Sequence, residues 1–304
     1  MKVLVLAGGP DRERPVSLKS GAQVAAALRE AGHEVRERDM GPGDVAALAE
    51  LQEDPVDVVF PVFHGKWGEG GGCQLLLEAA GVAFVGCGSD AARRCFDKSA
   101  TKWKLESRGL PTPEWELVKV GDRPTLEPPV VIKPNDEGSS IDLRLCRDAA
   151  ALESAWAELT GSGRHEALLV ERMIVGREMT VGVVVDEQGK ARALPSIRIV
   201  PATEFYDYQA KYERDDTRYE FDAVDPAIEA QLRHLAEAVF AELGCRHLAR
   251  VDLFLDADDR PWVIEVNTLP GFTDHSLLPM AAKRSGLALP ALVDRLVRLA
   301  AAGG

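Results

Sequence analysis

The stretch Arg250-Val251-Asp252-Leu253-Phe254-Leu255, followed after six residues by Trp262-Val263-Ile264-Glu265-Val266-Asn267, decides the fold. Both segments are rich in branched and aromatic residues, and the polar run between them predicts a turn, so we expect a β-hairpin. Strict alternation places Asp252 on one face with Arg250 and Phe254, and it groups Glu265 with Val263 and Asn267. A turn centred between residues 258 and 259 then sets Asp252 opposite Glu265 and Arg250 opposite Asn267.

Two carboxylates therefore face each other on a hydrophobic hairpin. Directly opposed side chains have Cβ atoms roughly 5 Å apart, and like charges at that distance are destabilising. A bound cation would remove the repulsion, and the oxygens of Asp252, Glu265 and Asn267 are ligands of the kind that Mg²⁺ prefers. The alternative is a solvated face whose acids simply remain in water.

The composition limits the classes of partner. The chain has 304 residues, 46% of them hydrophobic, which fits about two domains, with three smaller ones as the alternative. Its net charge of −13 would repel the phosphate backbone of nucleic acid, so we expect no nucleic-acid partner. The five cysteines show no C-x-x-C spacing and fit a reducing cytoplasm. The apolar run 2 to 7 is too short for a signal peptide or a membrane span and predicts a buried strand; we expect no membrane partner.

The alternation of strands and helices predicts an open, parallel α/β unit at the N-terminus and α+β units after it. In the first unit we predict strands at 2–7, 34–38, 56–63 and 82–85 and helices at 17–31, 44–53 and 72–80. The second unit has a helix at 89–104 and strands at 130–133, 141–145 and 167–171. The third has strands at 178–186 and 190–199, an irregular stretch at 200–222, helices at 226–243 and 289–301, and the hairpin. The predicted domains are 1–86, 87–176 and 177–304.

Four further motifs predict binding sites. Lys133 ends a strand before the small-residue loop 135–140, which suits phosphate, although ordinary strand connections have similar composition. The G-x-G-x-x-A run 86–91 fits the dinucleotide fingerprint, but it closes the first unit where the fingerprint should open one, so we interpret it as a helix N-terminus with Lys98 as a candidate phosphate contact. Glu13 and His64 each follow a strand of the parallel unit, where such sheets bind ligands; the alternative is solvated charges with Ser17 as a helix cap. The aromatic stretch 204–212 predicts a lid over an active site, or else a local packing cluster.

These pieces in this order resemble the D-alanine:D-alanine ligases of the ATP-grasp superfamily, over essentially the whole chain. The blocks that carry the resemblance are Glu13-Arg14-Pro15-Val16-Ser17, His64-Gly65-Lys66-Trp67-Gly68-Glu69, Asp97-Lys98, Lys133-Pro134, Glu137-Gly138-Ser139-Ser140, Tyr206-Asp207-Tyr208, Lys211-Tyr212, Arg250-Val251-Asp252 and Glu265-Val266-Asn267-Thr268-Leu269-Pro270-Gly271 through Ser276-Leu277. The resemblance implies a three-domain ATP-grasp fold with an N-terminal open parallel α/β domain. It also implies ATP-dependent ligation of two D-alanine molecules for peptidoglycan precursor synthesis, in a cytoplasmic homodimer.

The resemblance implies roles for particular residues. ATP would contact Lys98, Lys133, Glu171, Ile174, Glu178, Phe205 and Phe254. Asp252, Glu265 and Asn267 would hold two Mg²⁺ ions, with Mn²⁺ as the alternative metal. D-alanine would be bound by Glu13, His64, Ser276 and Leu277, and catalysis would use Glu13, Ser139, Lys211, Tyr212, Arg250 and Gly271.

Two positions depart from the family pattern. Gly70 stands in place of an aspartate, and Asp142 stands in place of a glycine and adds a negative charge near the bound phosphates. Two other functions therefore stay open: an ATP-grasp carboxylate–amine ligase with a different second substrate, and a nucleotide-binding protein without turnover. Tyr212 beside Lys211 resembles the dipeptide-forming members and argues against D-lactate as the second substrate.

Overall fold

The structure is a computed structural model that describes residues 1–41, 51, 55–202, 214 and 216–303. The predicted helix at 44–53 lies almost entirely outside the described residues, and so does the predicted lid at 204–212. Within the described ranges, none of the helices combines the length and the apolar character needed to cross a membrane.

The N-terminal unit is built on a three-stranded parallel sheet, as predicted. Its strands are β1 (Lys2–Gly8), β2 (Glu34–Met40) and β3 (Val58–Pro61), in the order β2-β1-β3. The helices are α1 (Arg14–Glu30), α2 (Gly65–Glu69) and α3 (Gly72–Ala79). Helix α1 starts three residues earlier than predicted because Pro15 is preorganised for the first helical turn. The predicted strand 82–85 is wrong in extent, since Phe84 makes only a single bridge to Val59.

The central unit contains an antiparallel sheet. Its elements are α4 (Ser89–Phe96), α5 (Lys98–Ser107), β4 (Trp115–Lys119), β5 (Val130–Pro134), β6 (Arg144–Cys146), α6 (Ala149–Gly161) and β7 (Ala167–Arg172), with strand order β4-β7-β5-β6. The prediction of one continuous helix at 89–104 is wrong. Asp97 takes an extended backbone and its carboxylate accepts a hydrogen bond of 2.9 Å from the Ala100 amide, so a new helix begins there.

The third sheet is formed by the C-terminal part of the chain. Its elements are β8 (Arg177–Val185), β9 (Ala191–Ala193), β10 (Ile197–Val200), β11 (Arg218–Glu220), α7 (Pro226–Glu242), β12 (Leu248–Leu255), β13 (Pro261–Asn267), α8 (Leu277–Arg284) and α9 (Leu289–Gly303). The strand order is β11-β10-β8-β12-β13, and β9 pairs with β8. The predicted strand 190–199 is two strands separated by residues 194–196.

The hairpin β12–β13 has the predicted partners at its functional end. Asp252 lies opposite Glu265, and Arg250 lies opposite Asn267. A β-bulge follows Asp252, so that Leu253 pairs with Val263 and not with Ile264. The bulge reverses the alternation of β13, and Val263 lies fully buried in the core beside Leu253. The grouping of Val263 on the face of Glu265 and Asn267 was therefore wrong.

The last helix completes the core of the first sheet. Leu292 and Val297 of α9 are buried in one cluster with Val3 of β1, Phe60 of β3 and Leu28 of α1. The opposite face of the first sheet has its own core under α3. The chain therefore returns at its C-terminal end to pack on the unit with which it starts.

Candidate active site

The predicted site residues that lie in the described part of the chain line two adjoining cavities. We call them the small cavity, of about 120 Å³, and the large cavity, of about 280 Å³. The predicted residues in the wall of the small cavity are Glu13, His64, Lys98, Ser139, Arg250, Glu265, Asn267, Gly271, Ser276 and Leu277. Those in the wall of the large cavity are Lys98, Lys133, Glu171, Ile174, Glu178, Asp252, Phe254 and Glu265. Phe205, Lys211 and Tyr212 lie outside the described residues.

Lys98 and Glu265 border both cavities, so the two spaces meet beside a cation and a carboxylate. The Lys98 ammonium donates a hydrogen bond to the Glu137 carbonyl in the loop after β5. Glu265 reaches the junction because the hairpin directs Asp252 and Glu265 out of the core. A group bound in the large cavity can thus be adjacent to a group bound in the small one.

The oxygens of Asp252 are held from two sides. Arg250 donates from Nε to Oδ1 at 2.8 Å and from Nη2 to Oδ2 at 2.7 Å, and Thr180 Oγ1 donates to Oδ1 at 2.6 Å. A carboxylate offers about four lone pairs, so Oδ2 of Asp252 retains one for a further partner. The amide oxygen of Asn267 accepts one hydrogen bond of 2.9 Å from the Leu269 amide and likewise retains a lone pair.

This donor set fits a hard divalent cation. Asp252 and Glu265 are opposed across the hairpin, and Asn267 lies on the same face two residues further along β13. All three offer oxygen atoms only, the ligand type that Mg²⁺ and Mn²⁺ take. Among the described residues, no group of three or more His, Cys, Asp or Glu side chains is arranged to hold a metal ion, so the candidate metal set depends on the amide of Asn267.

Glu171, in the wall of the large cavity, is paired with two lysines. Its Oε1 contacts Lys133 Nζ, and its Oε2 lies 2.6 Å from Lys102 Nζ. All three side chains are buried, and Lys102 is completely so. Burial alone would raise the pKa of the Glu171 carboxyl, but Lys102 and Lys133 hold that pKa below its ordinary value. Glu171 is therefore an ionised, acceptor-only group at the cavity wall.

Glu13 is fixed at the entrance of α1, where it is the N-cap residue and is buried. It accepts a hydrogen bond from Ser139 Oγ, so that the first unit and the loop after β5 meet on this carboxylate. Ser139 has a left-handed backbone with φ of 55°, a conformation that non-glycine residues adopt at a cost and that is frequent at functional sites. The alternative in which Ser17 caps this helix is wrong, since Ser17 lies inside the helix and donates to the Val62 carbonyl at 2.6 Å.

His64 and Glu69 form a buried pair beside Glu13. Nδ1 of His64 lies 3.0 Å from Oε1 of Glu69, and its Nε2 has no hydrogen-bond partner among the described residues. Burial opposes a charge on His64, but Glu69 and Glu13 raise the pKa of the imidazole above its ordinary value. Burial also raises the pKa of Glu69. Both side chains line the small cavity, so a ligand bound there could supply the missing partner of Nε2.

The segment before α8 brings backbone N–H groups to the same cavity. Ser276 is the N-cap of α8, and its Oγ accepts a hydrogen bond of 2.9 Å from the Thr273 amide. A Cβ at Gly271 would lie 2.8 Å from this Oγ, so any other residue there would have to displace the Ser276 hydroxyl. The first N–H groups of a helix lack intrahelical partners and carry partial positive charge, so Leu277 at the start of α8 suits a bound carboxylate.

The two departures from the family pattern are accommodated locally. Asp142 turns away from the cavities and accepts hydrogen bonds from Arg164 at 3.1 Å and His165 at 2.9 Å, which keep its pKa below the ordinary value although burial would raise it. A Cβ at Gly70 would approach the Lys66 carbonyl to 2.3 Å, so this turn at the end of α2 requires glycine. Neither change removes a group from the walls of the cavities.

The sequence reading missed three contributors. Glu69 was inside a quoted motif, and its spacing from His64 across one short helix was the available signal. Thr180 is opposite Asp252 across β8 and β12, a pairing that only the sheet order reveals. Lys102 gave no signal, because a lysine on a helix normally indicates a solvated face.

Comparisons with known proteins cover nearly the full chain. The family model described as "D-ala D-ala ligase C-terminus" matches residues 105–298, and "D-ala D-ala ligase N-terminus" matches residues 34–87. The D-alanine–D-alanine ligase of Marinobacter nauticus is 41% identical over 98% of this chain and 90% of its own length. D-alanine–D-alanine ligase B of Chromobacterium violaceum is 41% identical over 94% of this chain and 93% of its own. The crystal structure of the Bacillus anthracis D-alanine–D-alanine ligase complexed with ATP superposes with a TM-score of 0.84 at 27% identity, covering 99% of this chain and 97% of that one.

A parallel N-terminal sheet followed by two antiparallel sheets, with the large cavity between them, defines the ATP-grasp class of fold. The adjoining small cavity holds Glu13, Arg250 and Ser276, positions predicted from the family resemblance. The chain belongs to the D-alanine–D-alanine ligase family.

Proposed function

We propose that this protein joins two D-alanine molecules to D-alanyl-D-alanine at the expense of ATP, through an acyl phosphate, for peptidoglycan precursor synthesis. The observation that carries the proposal is the junction of the two cavities at Lys98 and Glu265. A carboxylate is a poor acyl donor, so it must first accept the γ-phosphoryl group, and this transfer needs adjacent sites for nucleotide and amino acid.

In the large cavity, the nucleotide is placed by charge and shape. Glu171 and the Ile174 backbone contact adenine, Glu178 contacts the ribose, and Phe254 packs against the nucleotide from the cavity wall. Lys98 and Lys133 bind phosphates, where their positive charge offsets the negative charge that spreads over the γ-phosphoryl group during its transfer. Phe205, outside the described residues, completes the set inferred from the family.

In the small cavity, Glu13 pairs with the ammonium of the first D-alanine, with His64 beside it, while Ser276 and the Leu277 N–H bind the carboxylate of the second. Ser139 orients Glu13, and with Tyr212 it positions the second substrate. Attack of the free amine on the acyl phosphate builds a tetrahedral oxyanion, which Arg250 and the Gly271 N–H stabilise as preorganised donors. Its collapse breaks the bond between the acyl carbon and the phosphate oxygen, expels inorganic phosphate and, with loss of a proton from the nitrogen, leaves the amide bond. Lys211 and Tyr212 belong to the segment inferred to exclude water, which would otherwise hydrolyse the intermediate.

Asp252, Glu265 and Asn267 hold Mg²⁺, or Mn²⁺, which when bound neutralises charge on the phosphates. The opposed carboxylates support this assignment, because Arg250 brings one positive charge to Asp252 and a divalent cation would offset the negative charge of the pair further. A homodimer is a further proposal from the family resemblance. A cytoplasmic location is proposed from the cysteine pattern, and the domain boundaries at 86/87 and 176/177 are proposed from the order of strands and helices.

The deciding experiment is phosphate release from ATP with and without D-alanine, with the product identified by mass spectrometry. The ligase function predicts strict D-alanine dependence and a D-alanyl-D-alanine product. A mixed product with D-lactate or another amino acid would favour a ligase with a different second substrate. Nucleotide binding without any amino-acid-dependent phosphate release would favour a binding protein without turnover.

A further inference from the structure

Lys102 is a buried charge for which the proposed mechanism has no use. It belongs to α5, its side chain is fully buried, and its ammonium donates to Thr112 Oγ1 at 2.8 Å and contacts Glu171 Oε2 at 2.6 Å. Thr112 in turn donates to the Val263 carbonyl of the hairpin at 2.9 Å. Burying an ammonium is costly, and burial lowers the pKa of Lys102 below its usual value. The contacts with Thr112 and Glu171 offset this cost and hold the Lys102 ammonium in one position.

Glu171 therefore has two cationic partners of different kinds. Lys133 and Glu171 are diagonal neighbours on one face of the sheet, since Lys133 pairs with Leu169 and Val131 pairs with Glu171. Both line the large cavity, so the Lys133 ammonium can turn from Glu171 to a ligand. Lys102 is absent from the walls of both cavities and has no exposed surface. It cannot reach a ligand and stays with Glu171.

We propose that Lys102 is a positioning residue for the nucleotide: it is the permanent counterion that keeps Glu171 ionised and in place as the acceptor for the 6-amino group of adenine, while Lys133 leaves Glu171 to bind phosphate. This inference rests on the proposed function, which assigns Glu171 and Lys133 to ATP. Without Lys102, the departure of Lys133 would leave a buried carboxylate unpaired, which is strongly unfavourable.

The consequence is selectivity among purine nucleotides. An ionised carboxylate only accepts hydrogen bonds, so it favours a purine with an amino group at position 6 and disfavours one with a carbonyl oxygen there. A protonated Glu171 could donate to that oxygen and would lose the distinction. Lys102 thus acts on base recognition through Glu171, at a distance from the ligand.

The test compares Lys102→Met with Lys104→Met, a control on the same helix whose ammonium lies 3.6 Å from Glu242 at the surface. Calorimetry with Mg²⁺ measures the affinity of each full-length variant for ATP and for inosine triphosphate, which has a carbonyl at position 6. We expect Lys102→Met to weaken ATP binding by about tenfold or more and to reduce the preference for ATP over inosine triphosphate by a similar factor. Lys104→Met should match the wild type. Equal weakening for both nucleotides, or no weakening, would overturn the proposal.

If Lys102→Met fails to fold, a second pair of variants still tests the proposal. Glu171→Gln removes the charge that needs a counterion, so adding Lys102→Met to it should change ATP affinity by less than about twofold. A further large loss in the double variant would mean that Lys102 acts by another route, and the proposal would be wrong. The binding measurement is independent of turnover: a wild type that binds ATP but forms no dipeptide refutes the ligase function, and the comparison of the lysine variants still decides the role of Lys102.

Discussion

Glu13 offers the sharpest test of amino-acid recognition, because it lines only the small cavity. Glu13→Gln keeps the size of the side chain and an oxygen that can accept from Ser139, but it removes the negative charge opposite the substrate ammonium. Glu13 is only 7% exposed, so solvent screens this pair weakly. A hydrogen bond to a charged group contributes about 2 kcal/mol, which corresponds to a loss of roughly 30-fold in kcat/KM for D-alanine.

The assay is D-alanine-dependent phosphate release, measured together with calorimetric binding of a non-hydrolysable ATP analogue. We expect the analogue to bind Glu13→Gln and the wild type equally. Glu30→Gln, at the exposed end of the same helix α1, is the matched control and should leave both quantities unchanged. The reasoning would be refuted if Glu13→Gln lost nucleotide affinity in proportion to its activity, or if kcat/KM for D-alanine fell less than about threefold.

Three further predictions concern the candidate metal site, the contacts of Asp142 and the turn before α3. Glu265→Gln should raise the Mg²⁺ concentration needed for half-maximal activity by about tenfold or more without lowering the melting temperature, since it removes one of two opposed charges; near-normal activity at low Mg²⁺ would contradict the metal assignment. Asp142→Asn should destabilise the fold by about 1 kcal/mol at pH 7. Because the pKa of Asp142 is lowered, the difference in stability from the wild type should persist above about pH 4 and disappear as the pH falls further, as seen in melting curves. A difference that does not depend on pH would show that the charge of Asp142 is not its cause. Gly71→Ala should destabilise the fold by more than about 1 kcal/mol, because φ is +94° and the new Cβ would lie 2.7 Å from the Ser89 carbonyl. Gly81 also has a positive φ but open space where a Cβ would lie, so Gly81→Ala measures the backbone strain alone in the same melting experiments.

The strand pairing of the hairpin was predictable at Asp252 and Glu265, but not along its whole length. The acids at 252 and 265 stand out on an apolar hairpin, and their pairing was correct. The interior orientation of Val263 was not predictable, because a bulge adds one residue to a strand without any change in its composition. The turn is one residue shorter than predicted, since Leu255 pairs with Pro261, and the bulge adds one residue to the strand. The two shifts in register cancel, so the predicted partner of Glu265 was correct.

The contacts that tune the site come from distant parts of the chain. Asp142 was expected to add negative charge near the phosphates, yet it is paired with His165, which follows α6 in the chain. Lys102 reads as a surface lysine, since its burial depends on how α5 packs against β13 and α7. Asp97, by contrast, was readable as a helix cap, and the continuous helix predicted through it overlooked a local signal.

The placement of α9 has a consequence for biosynthesis. Val3 and Phe60 in the first sheet need Leu292 and Val297 of α9 to complete their core. A ribosome adds roughly 5–20 residues per second, so this apolar face emerges on the order of tens of seconds before the helix that covers it. During that interval the nascent chain presents a hydrophobic surface to which a chaperone can bind. Release of this unit from such a chaperone should therefore wait for the last segment of the chain, and pulse proteolysis of stalled chains ending before residue 289 should find β1 and β3 susceptible.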